Sequence, residues 1–358
     1  MLRLATFNVE NLFDRPAILN LNDQAQTNAL LAKVAELQNL IDLASYAAAD
    51  KARILALDIE LNRYIEIQED VGKLFTGKGA NRRVSATGRS GWIGGIQFRR
   101  ANFSGEQREN TAAMLKHIDA DIQCLVEVEG NQALRSFNAE LMNYRFKQHL
   151  SIDSPNDPRG IDLGIYLRGA ALGQIRTNAF DKKAGKGIFS RDCLEIECRL
   201  PSGQSLHLLL NHYKSKMNDS PEADARRKGQ AARTVEILRE RYENKVDYFA
   251  VVGDFNDTPD SDPISPLASC GIVQDVFDVM THPAADRWTY FYKGKFNQID
   301  YVMVSPKLAA KVRKVEVLRE GMPVAFERPS LGITPLPGIV SKSTSASDHA
   351  AIAVELDL

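Results

Sequence analysis

The chain carries an apolar run, residues 249–252, that ends in Gly253-Asp254-Phe255-Asn256-Asp257, and this segment constrains the fold more than any other. The apolar run predicts a buried strand whose C-terminal end presents a carboxylate, a carboxamide and a second carboxylate. Side chains at the ends of rigid strands are well placed for chemistry. Asp254 and Asn256 are separated by one residue, so they can face the same way on an extended backbone. Gly, Asp and Asn are also turn residues, so a plain turn is the alternative interpretation.

Polar residues recur at the ends of further predicted strands. Each of these segments joins an apolar stretch to an Asn, Glu, Asp or His: Ala5-Thr6-Phe7-Asn8, residues 122–127 ending in Glu127, residues 206–212 ending in Asn211-His212, Gln298-Ile299-Asp300-Tyr301, and Ser347-Asp348-His349 before the run 350–354. A purely structural account rarely places such residues at the ends of successive core strands. A site for a metal and a phosphate needs them together.

The ordered set resembles the endonuclease/exonuclease/phosphatase superfamily, the family of pancreatic deoxyribonuclease, and most closely its bacterial nuclease-like branch. The matching segments run from one end of the chain to the other: residues 6–11, 125–128, 159–164, 211–216, 253–257, 298–301 and 347–349. The resemblance implies an α+β fold, a four-layer α/β/β/α sandwich of two mixed sheets, in a single domain over residues 1–358. Helical stretches at 107–118 and 221–242 between strands agree with such layers.

The resemblance further implies a divalent-metal-dependent phosphodiester hydrolase. The expected cofactor is Mg²⁺, with Mn²⁺ or Ca²⁺ as alternatives, since hard cations prefer carboxylate oxygens and water. Glu127 is expected to be the main metal ligand, and Glu129, on the same strand face by spacing, is its rival. Asn8 and Asp348 would complete the metal environment.

The remaining roles concern water, phosphate and leaving group. His349, oriented by Asp300, is expected to polarise or deprotonate the water or to stabilise the pentacoordinate state, and Asp254 is the alternative base. Asn256 is expected to hold a phosphate oxygen, and Asn211 to contact the substrate.

His212, oriented by Asp162, is expected to stabilise the phosphate or to protonate the leaving group. A lone His is more often a surface or hydrogen-bonded core residue, but His212 and His349 both pair with a carboxylate-bearing strand end. The other histidines lack that context and are expected to be structural: His117, His149, His207 and His282.

A long insertion separates Asn8 from Glu127, where the family has only a short helical connection. Within residues 20–75, apolar residues step by three and four in two successive stretches, which predicts a helical hairpin. The stripes contain Leu30, Val34, Leu37, Ile41 and Ala44, then Ile54, Leu57, Leu61, Tyr64 and Gln68. The hairpin is expected to pack on the protein or on itself, or to form a homodimer.

A basic, glycine-rich arm, residues 76–105, follows the hairpin. No acidic residue lies between Val71 and Gly105. Arg82, Arg83 and Arg89 are expected to contact a nucleic-acid backbone, because cations neutralise phosphates and glycines permit close approach. A solvated loop is the alternative.

Composition excludes some classes of function. The net charge is −1, so binding to a polyanion must come from local patches. The four cysteines are too few for a disulfide framework and predict reduced core thiols. Without a Cys-x-x-Cys or a Gly-x-Ser-x-Gly motif, zinc and serine hydrolases are disfavoured. No apolar stretch approaches a membrane span, and a cytoplasmic location is expected.

Three functions are compatible with these residues. The first is a nuclease, endonuclease or exonuclease, acting on DNA or RNA. The second is a phosphatase or phosphodiesterase acting on a small or lipid phosphoester, which the same strand ends would serve. The third is a non-catalytic binding module, against which the intact polar set argues.

Overall fold

The computed structural model of the protein describes residues 1–12, 16–21, 23–99, 105–157, 159–216 and 220–358. The chain divides into two compact units, one made of residues 1–12 and 104–358 and the other of residues 13–103. Arg100, residues 101–104 of the predicted basic arm and residue 22 of the predicted hairpin lie outside the described residues.

The described residues form the following strands: β1 (Leu2–Leu12), β2 (Ile65–Gly72), β3 (Phe75–Thr76), β4 (Arg83–Val84), β5 (Trp92–Phe98), β6 (Ile122–Val128), β7 (Gln148–Ser151), β8 (Asp162–Leu167), β9 (Ala171–Arg176), β10 (Lys182–Lys183), β11 (Lys186–Gly187), β12 (Cys193–Arg199), β13 (Ser205–His212), β14 (Phe249–Asp254), β15 (Gln274–Asp275), β16 (Tyr290–Tyr292), β17 (Lys295–Asn297), β18 (Asp300–Val304), β19 (Val312–Leu318) and β20 (Ala351–Leu356). Their α-helices are α1 (Gln24–Ile41), α2 (Ala48–Leu61), α3 (Gly105–Ile118), α4 (Asn131–Glu140), α5 (Pro221–Arg241), α6 (Ser265–Ala268), α7 (Val276–Val279), α8 (Pro306–Ala309) and α9 (Pro323–Glu327). Short 3₁₀ helices lie at Ala17–Asn20, Gly79–Asn81, Arg89–Gly91, Ala284–Asp286, Pro329–Leu331 and Lys342–Thr344.

Two six-stranded mixed sheets form the first unit. Sheet 1 has the order β19-β20-β1-β6-β8-β7, and sheet 2 has the order β15-β18-β14-β13-β12-β9. Each sheet has one parallel pair at its centre, β1 with β6 and β13 with β14, flanked by antiparallel neighbours. Strands of a parallel pair end at the same edge, so Asn8 with Val126 and His212 with Asp254 are brought to corresponding positions.

The two sheets pack face to face over one apolar core. Leu4, Val126 and Ile352 of sheet 1 lie in that core with Leu208 and Val252 of sheet 2. The outer face of sheet 2 is covered by α5 through a second apolar cluster. Tyr166 of β8 on sheet 1 donates a hydrogen bond to the α4 carbonyl of Leu134 (2.5 Å). The predicted sandwich of two mixed sheets flanked by helices is therefore confirmed.

Helix α5 follows from local sequence signals. The Ser220 hydroxyl accepts a hydrogen bond from the Ala223 N–H (3.2 Å), and Pro221 occupies the first turn. Acidic residues stand in its first turn and basic ones in its last, which suits the helix dipole. All four cysteines are free, and Cys124, Cys193 and Cys198 are buried, as expected for reduced core thiols.

The second unit contains the helical hairpin. Helices α1 and α2 run antiparallel, since Glu36 pairs with Arg53 (2.6 Å) and Lys33 pairs with Glu60 nearer the α2 C-terminus. Their buried stripe is Val34, Leu37 and Ile41 with Ile54, Leu57 and Leu61. The helical part ends at Leu61, because the alternation of Ile65 and Ile67 with polar residues has the period of a strand. Dimerisation through this hairpin stays a prediction.

The segment after the hairpin is folded rather than an open loop. Strand β2 pairs with β5 and β3 with β4 in antiparallel ribbons. Trp92 is buried, and its Nε1 donates to the Tyr46 hydroxyl (3.0 Å), which donates to the Ile41 carbonyl at the end of α1 (2.6 Å). Among the described helices, none is both long enough and apolar enough to cross a bilayer.

Candidate active site

The end of β1 contributes Asn8 and Glu10 to a group of polar side chains at one edge of the sheets. Asn8 is buried; its Nδ2 donates to Asp254 Oδ2 (3.2 Å), and its Oδ1 accepts from the Glu10 N–H (3.0 Å). The register of β1 with β6 shifts after Asn8, and Glu10 and Asn11 have φ of 49° and 67°. This bulge re-aims the Glu10 carboxylate, which accepts a hydrogen bond from the Asp348 N–H (3.1 Å).

Strand β6 ends in a second irregularity. Its register with β8 shifts between Val126 and Val128, and Glu127 between them has φ of 67°. A left-handed conformation in a non-glycine residue costs on the order of 1–3 kcal/mol and clusters at functional sites. The Glu127 side chain is 16% exposed, and its Oε1 lies 3.7 Å from His212 Nε2.

The central strands of sheet 2 bring His212 and Asp254 side by side. His212 Nε2 lies 3.7 Å from Asp254 Oδ2. Gly253 has φ of 130°, and a Cβ there would stand 2.0 Å from the Asn211 carbonyl oxygen, so this position requires glycine. Asp254 Oδ1 accepts a hydrogen bond from the N–H of Asn256 (2.8 Å), whose φ is 55°.

His349 forms a buried pair with Asp300. Its Nδ1 lies 2.9 Å from Asp300 Oδ2, and its Nε2 then stands 3.9 Å from Asp254 Oδ2 and 3.8 Å from Asp348 Oδ1. The Ser347 hydroxyl accepts from the His349 N–H (3.0 Å) and fixes the backbone. Within the described residues, Asp300 Oδ1 has no hydrogen-bond partner.

These contacts join strand ends of both sheets in one group. The group is called the polar cluster and consists of Asn8, Glu10, Glu127, His212, Asp254, Asn256, Asp300, Asp348 and His349.

Burial favours the protonated carboxyl form in the polar cluster. Burial and the neighbouring Asp348 raise the pKa of Glu10 to about 7. Burial and Asp300 raise the pKa of Asp254 to about 7. Burial also raises the pKa of Glu127. Crowded carboxylates with raised pKa values form an electrostatic environment that a divalent cation stabilises.

The two histidines are shifted in opposite directions. Burial opposes the charge on His349, but the Asp300 carboxylate overcomes it and holds the pKa of His349 well above its usual value. Burial, followed by Arg191 and Arg159, holds the pKa of His212 well below its usual value. At neutral pH His349 is therefore a cation and His212 a neutral imidazole.

Two arginines, Arg191 and Arg159, create positive potential around His212 of the polar cluster. Arg191 is buried, and its Nε lies 2.7 Å from Asp157 Oδ2. Its Nη1 donates to the Tyr213 carbonyl (3.2 Å), which also accepts from Asn256 Nδ2 (3.3 Å). Arg159 Nη2 lies 3.3 Å from the same Asp157 carboxylate. Asp157 thus holds both guanidinium groups beside the polar cluster.

Asn211 and Asp162 are sequence-predicted residues that the structure does not join to the polar cluster. Asn211 is buried on the face of β13 opposite His212, under α5, and donates to the Leu209 carbonyl (3.1 Å). Asp162 accepts from the Ser154 N–H (2.9 Å), and burial raises its pKa to about 7. In the described ranges, neither Asp162 Oδ2 nor His212 Nδ1 has a hydrogen-bond partner, so the expected bond between them is not formed.

The three arginines predicted to contact substrate belong to the second unit. Arg82 forms an ion pair with Asp58 (2.9 Å). Arg89 lies over the ring of Trp92 (4.5 Å). Both contacts hold the unit together. Arg83 is exposed on β4.

Several residues of the site escaped the sequence interpretation. Glu10 lies two residues after Asn8, but only the bulge in the structure shows that its side chain faces the site. The position of Arg191 depends on an ion pair with Asp157 that no local pattern signals. Tyr290, whose ring lies 4.9 Å from that of His349, follows no motif.

A divalent ion has candidate ligands at this site. Ligand atoms of Asp254, Asp300 and His349 all lie within 4.8 Å of one another. His349 Nδ1 is already engaged by Asp300, and an imidazolium has no lone pair to offer a metal. The carboxylates of Glu10, Glu127 and Asp348 supply the hard oxygen donors that Mg²⁺ prefers.

Comparison with known proteins bears on this geometry. The model of the Endonuclease/Exonuclease/phosphatase family matches residues 94–349. Truncated TDP2 from Caenorhabditis elegans superposes with a TM-score of 0.52 at 17% identity, covering 70% of this chain and 89% of that one. The catalytic domain of human Nocturnin, with bound sulfate, gives 0.50 at 15%, covering 71% and 87%. A single-residue variant of the Neisseria 3′ phosphatase NExo, bound to a product DNA hairpin, gives 0.50 at 18%, covering 72% and 96%. These structures share the fold. No curated protein matches the sequence significantly.

Proposed function

The chain belongs to the Endonuclease/Exonuclease/phosphatase family, and on this premise we propose that it is a Mg²⁺-dependent phosphodiester hydrolase that cleaves nucleic acid. Family membership supports phosphoester hydrolysis. The polar cluster supports the more specific proposal of metal-dependent phosphodiester cleavage. In it, acidic residues, a neutral His212 and a cationic His349 meet at one edge of two sheets. A catalytically inactive binding module would have no reason to maintain this buried charge.

The metal would be held by Glu10, Glu127 and Asp348, since Glu10 and Glu127 have raised pKa values and Asp348 accompanies them at the same edge. When bound, Mg²⁺ stabilises the carboxylates, neutralises a phosphate oxygen and acidifies water. Asn8 stays a predicted ligand, since its Oδ1 accepts a hydrogen bond from the Glu10 N–H and keeps a second lone pair. Its amide also positions Glu10 and Asp254.

Attack on the phosphorus needs a base. With a pKa of about 7, Asp254 is substantially ionised at neutral pH and can accept the water proton. His349, already protonated, is unsuited to that role. The new bond joins the water oxygen to phosphorus, the bond from phosphorus to the leaving oxygen breaks, and the leaving oxygen takes a proton from solvent.

The other residues stabilise the pentacoordinate phosphate. His349 supplies positive charge, and Asp300 keeps it protonated and oriented. His212, held neutral, donates an N–H to a phosphate oxygen. Asn256 can bind a second phosphate oxygen without repelling it. Arg159 and Arg191 add positive potential where further phosphates of a chain would lie.

Nucleic acid is the substrate class that the comparison with NExo favours. NExo, which has the same fold, is bound to a DNA hairpin, and this supports a nucleic-acid substrate. Because NExo is a 3′ phosphatase, a phosphomonoester at a DNA terminus is the second candidate.

We also propose a cytoplasmic site of action, in keeping with the free cysteines.

A substrate panel tests the proposal. Purified protein is incubated with single-stranded DNA, duplex DNA, RNA, bis(p-nitrophenyl) phosphate and p-nitrophenyl phosphate, each with Mg²⁺ or EDTA. We expect cleavage of a polynucleotide and of the diester with Mg²⁺ only. If phosphate is released only from the monoester, a phosphatase replaces the proposed nuclease. No turnover of any substrate with any divalent ion would refute both.

A further inference from the structure

We propose that the β10–β11 hairpin and two neighbouring cations bind the phosphate backbone of a single-stranded nucleic acid beside the polar cluster. The proposed site, called the cationic ledge, consists of Lys182, Lys183, Lys186, Lys214 and Arg226. The inference deepens the proposed function, because it specifies an extended polynucleotide as the ligand.

The hairpin concentrates positive charge beside a cleft whose acidic residues, Asp181 and Glu236, both pair with Arg233. Lys183 and Lys186 are paired directly across it, and Lys182 precedes them. All three are exposed, and no described carboxylate lies within 4.0 Å of their amino groups. The adjacent acid, Asp181, is taken up by Arg233 of α5 (2.7 Å). Like charges opposite each other destabilise a two-stranded ribbon. The arrangement therefore indicates a role in binding an anionic ligand rather than a structural role.

The hairpin lies at the edge that carries the polar cluster. The chain passes from β11 through Phe189 and Arg191 into β12, whose first residue, Cys193, pairs with Asn211 of β13. The next residue of β13 is His212. The hairpin therefore leaves sheet 2 at the end where the polar cluster is built.

Helix α5 ties the rest of the ledge to the hairpin. Gln230 Oε1 accepts from the Lys214 N–H (2.9 Å), and Gln230 Nε2 donates to the Ser190 hydroxyl (2.9 Å). Arg226 Nη2 donates to the Phe189 carbonyl (3.3 Å). Neither Lys214 nor Arg226 forms an ion pair with a described carboxylate.

The charges extend away from the catalytic residues. Lys214 follows His212 by two residues, and burial together with Arg191 and Arg226 lowers the pKa of Lys214. The ledge then continues through Arg226 to the hairpin lysines. A single phosphate cannot satisfy cations spread over a helix and a hairpin, whereas successive phosphates of a chain can.

An exposed aromatic ring points to unpaired bases. Phe180 stands just before the hairpin with 69% of its surface exposed. Basic residues with an accessible aromatic ring are the combination that binds single strands, because bases stack on the ring while cations follow the backbone. A duplex keeps its bases stacked internally and would leave Phe180 without a partner.

A charge-removing triple variant, Lys182→Gln with Lys183→Gln and Lys186→Gln, tests the ledge. Binding to a fluorescein-labelled single-stranded oligonucleotide is followed by fluorescence anisotropy in EDTA, at salt from about 0.05 to about 0.3 M. Losing two to three contacts at a slope of about 0.7 each should weaken binding roughly 10–50-fold at about 0.15 M salt and flatten the salt dependence by about 1.4–2.1.

The matched control neutralises three exposed lysines at the opposite edge of the sheets: Lys116→Gln, Lys147→Gln and Lys307→Gln. It should leave the affinity within about threefold, since distant charges are screened. Phe180→Ala should weaken binding to single strands more than to duplex. Hydrolysis of bis(p-nitrophenyl) phosphate should be unchanged in both triple variants, because neither contains a residue of the polar cluster.

The outcomes separate the ledge from the proposed function. Weakened binding in the hairpin variant, with the small diester unaffected, supports the ledge. The ledge is overturned if the hairpin variant keeps the wild-type salt slope, or if the control variant loses as much affinity for the oligonucleotide. It is also overturned if the hairpin variant loses binding to anionic vesicles but keeps its affinity for oligonucleotides. Because anisotropy in EDTA needs no turnover, a protein that binds through the ledge but hydrolyses nothing would refute only the proposed function.

Discussion

Replacing Asp300 by Asn should remove the charge that keeps His349 protonated. The two groups are buried and their atoms are 2.9 Å apart, so unit charges attract by about 6 kcal/mol at an effective dielectric constant of about 20. The amide retains a hydrogen-bond acceptor, and His349 Nε2 still faces Asp254 at 3.9 Å, so the net loss is smaller than this attraction. We expect a loss of about 3–4 kcal/mol in transition-state stabilisation, or roughly 10²–10³-fold in kcat.

The assay combines turnover of bis(p-nitrophenyl) phosphate with an NMR titration of the His349 ring in wild type and Asp300→Asn. The pKa of His349 should fall in the variant, and kcat should fall with little change in KM. Asp275→Asn is the matched control, because Asp275 is also buried on sheet 2 and accepts from Gln298 Nε2 (2.6 Å). It should lower stability and leave kcat within about threefold. Wild-type kcat in Asp300→Asn, or an unchanged His349 titration, would refute the reasoning.

Three further outcomes are expected. Glu127→Gln should raise the Mg²⁺ concentration for half-maximal activity by at least about tenfold and Glu129→Gln by less than about threefold, measured by metal titration; the reverse order would transfer the ligand role. The pKa of Asp254 is raised to about 7, so its stabilising contribution is complete below its unfolded pKa of about 4 and is lost as pH rises through 7. Metal-free wild type should therefore lose more thermal stability than Asp254→Asn between about pH 5 and about pH 8, and equal losses would contradict this. Arg89→Gln should destabilise the second unit by about 1–2 kcal/mol in urea unfolding, because the contact with Trp92 is lost, whereas Arg83→Gln, exposed, should change it by less than about 0.5 kcal/mol.

The sandwich was predictable because strand ends carry strong signals. Apolar runs that stop at an Asn, Glu, Asp or His fix both a buried strand and its polar end, and Glu127, His212 and Asp254 do meet at one edge. The helical hairpin was predictable from its spacing, although Ala44, Tyr64 and Gln68 fall outside the helices.

Backbone irregularity and distant partners place some residues in ways that the sequence does not signal, and at Asn211 a local signal was overlooked. The period of two along β13 already puts Asn211 and His212 on opposite faces, so the prediction for Asn211 overlooked a local rule. The inward turn of Glu10 depends on a bulge with positive φ that its sequence does not require. The substrate contact of Arg82 stays a prediction, and its ion pair with Asp58 is a contact that no local pattern signals.

The polar cluster as a metal-dependent hydrolytic site is tested most directly by turnover of bis(p-nitrophenyl) phosphate after EDTA treatment and Mg²⁺ addition, in wild type and Asp254→Asn. Wild type should be inactive in EDTA and regain activity with Mg²⁺, and Asp254→Asn should remain at least about 10²-fold slower at saturating Mg²⁺, since it lacks the base. Full activity of wild type in EDTA, or of Asp254→Asn with Mg²⁺, would contradict the assignment.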